Sequence, residues 1–326
     1  MPQKVILDVD TGSDDAVAIM MAILAPEIDL VGICSVNGNK GIENTTENTL
    51  RTVQLLGSDV PVYKGCPAPM VKRLFPGRYG WTRAQKVGEV DGKKVEYHTD
   101  FLDMLPPASI KPQPQNAVSW LIDTLMASDG DITIVPVGPL TNLAMAIRIE
   151  PAIVSKIKEV ILMGGGHRIT NTTSAAEFNI WEDPEAAQIV LTSGCKVTLV
   201  PLDATHAAYV TAQESKEIRS IGTPAAIATA DLIDQRIKAY NVAQPMKVQD
   251  SAPVHDALAV LAVIDPTVLQ EVRFARIDVD ISGGFADGMT IVDNRALPDY
   301  PKNAYIALDA DREKFVRMLK HYLSKS

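Results

Sequence analysis

The sequence predicts an α/β fold in which a mainly parallel central sheet is flanked by helices. Two observations support this prediction. Short β-branched and apolar runs alternate with helical segments along most of the chain, and such alternation produces right-handed βαβ crossovers. The 326 residues are also 46% hydrophobic and 22% charged, a composition typical of a globular protein with a sizeable core.

The first part of the chain sets this pattern. Residues 4–9 read KVILDV, a run typical of a buried parallel strand. They lead to a predicted helix over 14–24, with Ser13 as the expected N-cap. The alternation then continues, with strands predicted at 30–36, 60–63, 132–137, 160–163 and 197–202 and helices at 42–56, 117–126, 140–149 and 183–191. This order predicts a Rossmann-like open sheet.

The end of the chain and two long connections depart from the pattern. We predict strands at 272–281, 288–292 and 304–307 and a closing amphipathic helix at 311–323. The connections span about 65–113 and 165–182, and loops of that length are uncommon unless they are functional. Without an internal repeat or a linker, the sequence favours one domain over residues 1–326 that carries both connections as insertions.

Charge and composition narrow the range of partners. The chain has 31 basic and 40 acidic residues, a net charge of −9, which disfavours binding to a nucleic acid polymer. The three cysteines are too few and too scattered for a disulfide framework. We see neither a signal peptide nor an apolar run of the roughly 18 residues that a membrane-spanning helix needs. We therefore expect a cytoplasmic protein that does not bind membranes.

The most informative segment is an acidic turn at residues 8–15, DVDTGSDD. Asp8 and Asp10 share one face of a strand end, because strand side chains alternate, and Asp14 and Asp15 open the following helix. Two carboxylates about 5 Å apart repel each other by roughly 3 kcal/mol at an effective dielectric of 20. A bound cation or a shared proton would relieve this repulsion. A site with only oxygen donors favours Ca²⁺ or Mg²⁺ over Zn²⁺.

The acidic turn also carries a family resemblance. DVDTGSDD resembles the DxDxGxDD signature of the calcium-dependent nucleoside hydrolases, which cleave ribonucleosides to ribose and free base. Further segments recur in the family's order, so that the resemblance covers nearly the whole chain: VPVGPLTN at 135–142, MGGG at 163–166, AEFN at 176–179, DPEAA at 183–187 and VHD at 254–256. The resemblance implies an inosine-uridine preferring hydrolase, with purine and pyrimidine ribonucleosides as small-molecule substrates in salvage.

The resemblance also implies the roles of individual residues. Calcium would be bound by Asp10, Asp15, Asp256 and the main-chain carbonyl of Val137, and Asp10 would also act as general base on a calcium-bound water. Met163 would pack against the sugar. The ribose-contacting positions of the family correspond to Asp14, Asn39, Asn171, Glu177, Asn179 and Asp256. We expect Glu177 and Asn179 to lie on one side if their segment is extended.

The leaving base needs a proton, and His255 directly precedes the metal ligand Asp256. Imidazole suits this task because it titrates near neutral pH, so His255 is the expected acid. The base-binding positions depart from the family pattern. The family's His-Gly-x-x-Gly-Leu segment is replaced by YHTDFL, in which His98 takes the corresponding place. Tyr240 matches a base-lining tyrosine, whereas Arg236 stands one turn earlier, where a second aromatic residue could sit.

Two other functions remain open at this point. The strand end ILDVDTG resembles the DxDxT motif of haloacid-dehalogenase-type phosphatases, with Asp8 as nucleophile and Asp10 as acid/base. A non-catalytic, calcium-dependent ribose-binding protein would also need the acidic turn. The family resemblance favours the hydrolase and further implies a homodimer or homotetramer.

Overall fold

The computed structural model describes residues 2–79, 88–90, 93–295 and 301–325. Within these ranges, nine strands form the central sheet and two short pairs lie outside it. The strands are β1 (Gln3–Val9), β2 (Ile28–Ser35), β3 (Val62–Lys64), β4 (Gly88–Val90), β5 (Lys93–Val95), β6 (Ile132–Pro136), β7 (Ile157–Met163), β8 (Val197–Val200), β9 (Tyr209–Thr211), β10 (Ser251–Pro253), β11 (Leu269–Val279), β12 (Thr290–Asp293) and β13 (Ala304–Ala310).

Helices cover both faces of this sheet. They are α1 (Ser13–Leu24), α2 (Ile42–Leu55), α3 (Ala117–Ala127), α4 (Thr141–Ile149), α5 (Phe178–Glu182), α6 (Pro184–Leu191), α7 (Leu202–Ala207), α8 (Ala212–Ser220), α9 (Pro224–Ala243), α10 (His255–Ile264) and α11 (Arg312–Leu323). Helices α1, α2, α9, α10 and α11 contribute to one hydrophobic cluster, and α3, α4 and α6 contribute to a second. Among the described residues, no helix has the length and apolarity needed to cross a bilayer.

The strand order of the central sheet is β12-β11-β13-β8-β7-β6-β1-β2-β3. All neighbours from β13 to β3 run parallel, and β11 is antiparallel to both β13 and β12. This arrangement confirms the predicted α/β class with a mainly parallel sheet. From β1 the chain adds β2 and β3 on one side, and it later adds β6, β7 and β8 on the other. The carboxyl ends of β1 and β6 therefore form a topological switch point, where open α/β sheets bind ligands.

The start of α1 differs from the prediction in one respect. Ser13 is the first residue of the helix and Gly12 is its N-cap, so the expectation that Ser13 caps the helix is wrong. The cap is instead made by Asp15, whose carboxylate accepts hydrogen bonds from the backbone N–H of Gly12 at 2.8 Å and of Asp10 at 3.1 Å. One acidic side chain thus satisfies two donors of the turn, which fixes the carboxylate behind it.

Four helices between Leu202 and Ile264 were not among the predicted elements. They are α7, α8, α9 and α10, and two of them supply side chains to the pocket described below. The two long connections lead to the same pocket. The segment 65–113 reaches it with Tyr97 and His98, and the segment 165–182 reaches it with Asn171 and Glu177. Residues 80–87 and 91–92 of the first segment lie outside the described residues.

Candidate active site

Four carboxylates meet at the switch point, three from the acidic turn and Asp256 from the start of α10. Asp10 and Asp15 are 1% and 0% exposed, and Asp14 and Asp256 are 5% and 3% exposed. Three of the groups, Asp14, Asp15 and Asp256, each offer an oxygen within 4.8 Å of the others. Asp10 lies beside Asp15, since its own backbone N–H donates to the Asp15 carboxylate. Residues far apart in the sequence therefore share one buried acidic cluster.

Two glycines make room for the Asp10 side chain. A Cβ atom at Gly38 would lie 2.1 Å from Asp10 Oδ2, and one at Gly138 would lie 2.8 Å from Asp10 Oδ1. Any side chain at these positions would displace the carboxylate. The backbone N–H of Asn39 donates to Asp10 Oδ2 at 2.6 Å, which orients the group further. The loops after β2 and β6 thus hold Asp10 in one place.

Burial shifts the acidity of the whole cluster. Burial, followed by the nearby Asp15 carboxylate, raises the pKa of Asp10 well above its usual range. Burial and the charge of Asp14 raise the pKa of Asp15 to about 6. Burial, together with the neighbouring acids Asp14 and Asp15, also raises the pKa of Asp256 well above its ordinary value. Burial and mutual repulsion therefore disfavour the charged form of these carboxylates, and water cannot offset the repulsion. A bound cation would stabilise the charged form.

The donor set fits a hard cation. A further oxygen donor, beside the four carboxylates, is the main-chain carbonyl of Val137, which directly follows β6 and lines the pocket. All of these donors are oxygen atoms, the type that Ca²⁺ and Mg²⁺ prefer. Asn179 Nδ2 donates to the Val137 carbonyl at 2.7 Å and so fixes its direction. The residues present are therefore sufficient to hold a divalent metal ion.

One wall of the pocket is polar and comes from the segment after β7. Glu177 is the N-cap of α5, and its carboxylate accepts hydrogen bonds from the backbone N–H of Gly165 at 2.8 Å and of Asn179 at 2.9 Å. Asn179 also donates to the Met163 carbonyl at 3.1 Å. The segment is not extended at Asn179, which lies in the first turn of a helix. The shared orientation of Glu177 and Asn179 toward the pocket arises from this helix start instead.

The opposite wall contains a hydrogen-bonded chain centred on His255. Its Nε2 lies 2.7 Å from the Tyr240 hydroxyl, and its Nδ1 lies 2.6 Å from Thr205 Oγ1. Burial, followed by the positive charge of Arg236, lowers the pKa of His255 well below its usual value. The imidazole is therefore neutral at pH 7, with both ring nitrogens engaged. Thr205 orients the ring from α7, one of the helices that were not predicted from the sequence.

His98 and Arg236 meet the acidic turn from two different segments. His98 Nδ1 accepts a hydrogen bond from the backbone N–H of Ser13 at 3.1 Å and lies 4.0 Å from Asp14 Oδ1. Arg236 Nη1 lies 2.8 Å from the same Asp14 oxygen. The Tyr97 and Tyr240 rings pack edge to face beside them, with centroids 5.1 Å apart. This end of the pocket is the aromatic and cationic one.

The pocket gathers most of the residues that the sequence predicts for the site. His255, Val137 and all of the predicted substrate contacts line it: Asp14, Asn39, His98, Met163, Asn171, Glu177, Asn179, Tyr240 and Asp256. Asn171 is the exposed member of this set, and its side-chain oxygen caps the backbone N–H of Phe178 at 3.0 Å. Asp10 and Asp15 are not among the described lining residues; they lie in the buried cluster beside Asp14.

Several lining residues were not predicted from the sequence. Lys40, Tyr97, Thr172, Phe178, Arg236 and Gln244 all face the pocket. Arg236 was recognisable as a departure from an aromatic position, but nothing in the local sequence pairs it with Asp14, 222 positions away. The alternating pattern of strands and helices does not predict contacts between residues that are so far apart in the sequence. They depend on how α9 packs against α1.

A pocket with hydroxyl-binding side chains above a buried carboxylate cluster is typical of hydrolases that act on sugars. The chain belongs to the inosine-uridine preferring nucleoside hydrolase family, whose profile matches residues 5–317. The inosine-uridine preferring nucleoside hydrolase of Leishmania major is 40% identical to this chain. The match covers 97% of this chain and 95% of that relative. This chain is therefore a nucleoside hydrolase, an N-glycosidase, and the family does not support the phosphatase or the non-catalytic ribose-binding protein.

Two further relatives agree with this assignment. The pyrimidine-specific ribonucleoside hydrolase RihB of Escherichia coli (strain SE11) is 37% identical over 96% of this chain and 94% of its own. The structure of a purine-preferring ribonucleoside hydrolase from Gardnerella vaginalis superimposes with a TM-score of 0.84 at 33% identity. That match covers 99% of this chain and 98% of the other. The similarity therefore extends over the whole fold, including the strand ends that carry the site.

The buried carboxylates Asp8 and Asp15 predict how the stability of the metal-free protein depends on pH. Burial raises the pKa of Asp8 to about 7 and that of Asp15 to about 6, whereas an unfolded aspartate titrates near about 4. Between about pH 4 and pH 7 the folded protein holds protons that the unfolded chain releases, so the free energy of unfolding falls as pH rises. In the presence of a chelator, calorimetry should give a lower Tm at about pH 7.5 than at about pH 5.

The Asp8→Asn and Asp15→Asn variants are the controls for this pH dependence. Each removes one buried titrating group, so each should make the dependence of Tm on pH less steep. A chelated wild-type protein whose Tm rises steadily over the same pH range would contradict the assignment of these shifts.

Proposed function

We propose that this chain hydrolyses the N-glycosidic bond of purine and pyrimidine ribonucleosides, giving ribose and the free base, with calcium as its cofactor. The observation that carries the proposal is the convergence of Asp14, Asp15 and Asp256 within 4.8 Å beneath a polar pocket. The relatives are named as inosine-uridine preferring, pyrimidine-specific and purine-preferring hydrolases, which supports a range of nucleosides rather than one.

The calcium ligands in this proposal are Asp10, Asp15, Asp256 and the Val137 carbonyl. The support is the burial of all three carboxylates, their mutual repulsion and the absence of sulfur or nitrogen donors among them. When bound, a divalent cation supplies a fixed, acidified water molecule and stabilises the developing negative charge. Asp14, the fourth carboxylate, is already paired with Arg236 at 2.8 Å and remains available for a substrate hydroxyl.

Ribose lies, in this proposal, between the carboxylates and the wall formed by α5. Hydroxyl groups need both donors and acceptors, and carboxylates and amides provide them in a fixed geometry. Met163 ends β7 next to this wall, where its side chain can pack against the sugar ring. The residues assigned to the ribose hydroxyls are Asp14, Asn39, Asn171, Glu177, Asn179 and Asp256.

Asp10 is the proposed general base. Its carboxylate is buried beside the proposed ligand Asp15, so it lies next to any water molecule that the same cation would hold, and it can accept a proton from that water. The backbone N–H of Asn39 holds one carboxylate oxygen at 2.6 Å. The other oxygen is left to accept the proton while the water oxygen bonds to the anomeric carbon.

His255 is proposed to take part in protonating the leaving base. Because its imidazole is neutral and bonded to the Tyr240 hydroxyl, we assign the proton transfer to the pair rather than to the histidine alone. Tyr240 lines the pocket and can donate its hydroxyl proton to the base, and His255 Nε2–H returns a proton to the tyrosine oxygen; solvent water then resupplies the proton that the imidazole has given up. In this tautomer Nδ1 carries no proton, so the Thr205 hydroxyl on the far side donates to it and orients the ring.

The remaining parts of the proposal concern the two insertions, the class of substrate, the localisation and the oligomeric state. The connections 65–113 and 165–182 are assigned as active-site insertions of a single domain over residues 1–326, with His98 as a contact to the base. The net charge of −9 supports small-molecule substrates over nucleic acid polymers. We further propose a cytoplasmic homodimer or homotetramer that acts in purine and pyrimidine salvage.

Removal of calcium tests the cofactor. Release of reducing sugar from inosine and uridine should disappear when the protein is treated with a chelator and return when calcium is added, because the water and the buried acids both need the cation. Calcium should also raise the Tm, since a ligand at 100 times its Kd stabilises the folded state by about 2.7 kcal/mol. Full turnover in excess chelator, with no change in Tm on adding calcium, would refute the cofactor assignment.

Replacement of Asp10 tests the general base. Asp10→Asn retains a ligand oxygen but cannot take a proton, so kcat for inosine should fall by about 10²–10⁴-fold while the fold and calcium binding persist. Asp10→Ala should lose at least as much turnover. Asp8→Asn is the matched control, because Asp8 is equally buried two residues before Asp10, in β1, and belongs to neither the cluster nor the pocket lining. Normal hydrolysis by Asp10→Asn would show that another group is the base.

Replacement of His255 tests the proton donor. His255→Ala should lose more activity with inosine than with 4-nitrophenyl riboside, because nitrophenolate leaves without a proton. Tyr240→Phe should share this selectivity, since it removes the hydroxyl that joins the histidine to the pocket. His321→Ala, on the exposed side of α11, is the control for histidine loss. Equal losses for both substrates would remove His255 from the acid role.

A further inference from the structure

Arg236 is a fully buried cation in the pocket that the proposed function does not use. Its side chain lies on α9 and is 2% exposed. Nε donates to the Pro253 carbonyl at 2.9 Å, and Nη1 donates to Ser13 Oγ at 3.0 Å and lies 2.8 Å from Asp14 Oδ1. None of these contacts uses Nη2. Arg236 lines the pocket, and its guanidinium also interacts with the Tyr240 side chain beside it.

The position of Arg236 relates it to the bond that breaks. Asp14, on one side of the guanidinium, belongs to the residues assigned to ribose. Tyr240, one turn further along α9, lies on the other side, with its ring centroid 5.7 Å from the Arg236 Cζ. The guanidinium therefore lies at the boundary between the sugar-binding carboxylates and the aromatic end of the pocket. A nucleoside bound across that boundary has its glycosidic bond beside Arg236.

We propose that Arg236 is a catalytic residue that stabilises the departing base. Its Nη2–H, which the contacts to Pro253, Ser13 and Asp14 do not use, donates a hydrogen bond to the acceptor next to the glycosidic nitrogen, O2 of a pyrimidine or N3 of a purine. This inference rests on the proposed function, because it assigns a second role in the same reaction. It also defines the kind of base that the pocket takes, one with a lone-pair acceptor beside the bond that is cleaved.

A fixed positive charge beside the glycosidic bond stabilises the negative charge that develops on the leaving base. As the bond between the anomeric carbon and the base nitrogen breaks, its electron pair stays on the base and spreads onto the neighbouring acceptor atom. The water oxygen bonds to the anomeric carbon, and its proton goes to Asp10. Until the base receives a proton it is an anion, and a guanidinium that is always charged stabilises it through a charge-assisted hydrogen bond. Such preorganised donors act where charge develops in the transition state.

The competing role is structural. Arg236 could do no more than neutralise Asp14 and anchor α9 to the Pro253 carbonyl. Loss of that anchor would disturb the pocket for every substrate alike. Stabilisation of the leaving group has a different signature, because it matters only when the leaving group is a poor one. The two roles can therefore be separated by comparing substrates that share ribose and differ in the leaving group.

The experiment measures kcat for uridine and for 4-nitrophenyl riboside with the calcium-loaded protein. Arg236→Met keeps the apolar stem and removes the charge, and it should lower kcat for uridine by about 100-fold or more, as the loss of one transition-state donor does elsewhere. The loss with 4-nitrophenyl riboside should stay below about five-fold, since nitrophenolate is stable by itself. Arg236→Lys, which keeps a charge, should fall between wild type and Arg236→Met for uridine.

Arg219→Met is the matched control. Arg219 lies on α8, pairs with Asp231 and Asp234 at 2.8 Å and is not among the described lining residues, so its loss should leave both substrates unaffected. Equal losses with both substrates in Arg236→Met would overturn the catalytic role and leave Arg236 as a counter-ion. A wild-type protein that is inactive on uridine would instead overturn the proposed function, and the role of Arg236 with it.

A second measurement does not depend on the folding of any variant. The wild-type protein is crystallised with a C-nucleoside such as pseudouridine, whose carbon–carbon glycosidic bond resists hydrolysis. We expect Nη2 within about 3.2 Å of the base carbonyl that flanks this bond. A bound base that turns its acceptor atoms away from Arg236 would overturn the inference.

Discussion

The site depends on the burial of four like charges at one point of the sheet. Asp10, Asp14, Asp15 and Asp256 are withdrawn from water, and their repulsion and desolvation oppose folding. Neighbouring groups partly offset this repulsion and desolvation. Glycines at 38 and 138 admit the Asp10 carboxylate, backbone N–H groups bond to Asp10 and Asp15, and a buried guanidinium faces Asp14. What these contacts leave uncompensated is the charge that a divalent cation can neutralise.

The geometry of the sheet explains why the chemistry concentrates there. Strands β1 and β6 are neighbours whose crossovers run in opposite directions, so the loops after them separate and leave a crevice. The acidic turn follows β1, and the Val137 carbonyl follows β6. The walls come from later segments, with α5 on the side proposed for the sugar and α9 with α10 on the side proposed for the base. In the proposed function, this fixed cluster and the two walls determine where the scissile bond lies.

Much of this was predictable from sequence because the signals are local. The alternating runs give the α/β class and most element positions, and the spacing of Asp8, Asp10, Asp14 and Asp15 places the acids at a strand end. Asp256 and His255 were assigned through the family resemblance, since nothing near them identifies a partner. The contacts from Arg236 to Asp14 and from Thr205 to His255 were not predictable, because they join elements whose packing no local pattern encodes. Capping by Asp15 rather than Ser13 is a similar case, decided by backbone geometry within one turn.

A crystal structure of the protein with calcium, located by its anomalous signal, tests the central claim most directly. The account predicts one ion at the switch point, with carboxylate oxygens of Asp10, Asp15 and Asp256 and the Val137 carbonyl at about 2.3–2.6 Å. An ion bound elsewhere, or one at the cluster that leaves Asp10 beyond about 4 Å, would contradict it.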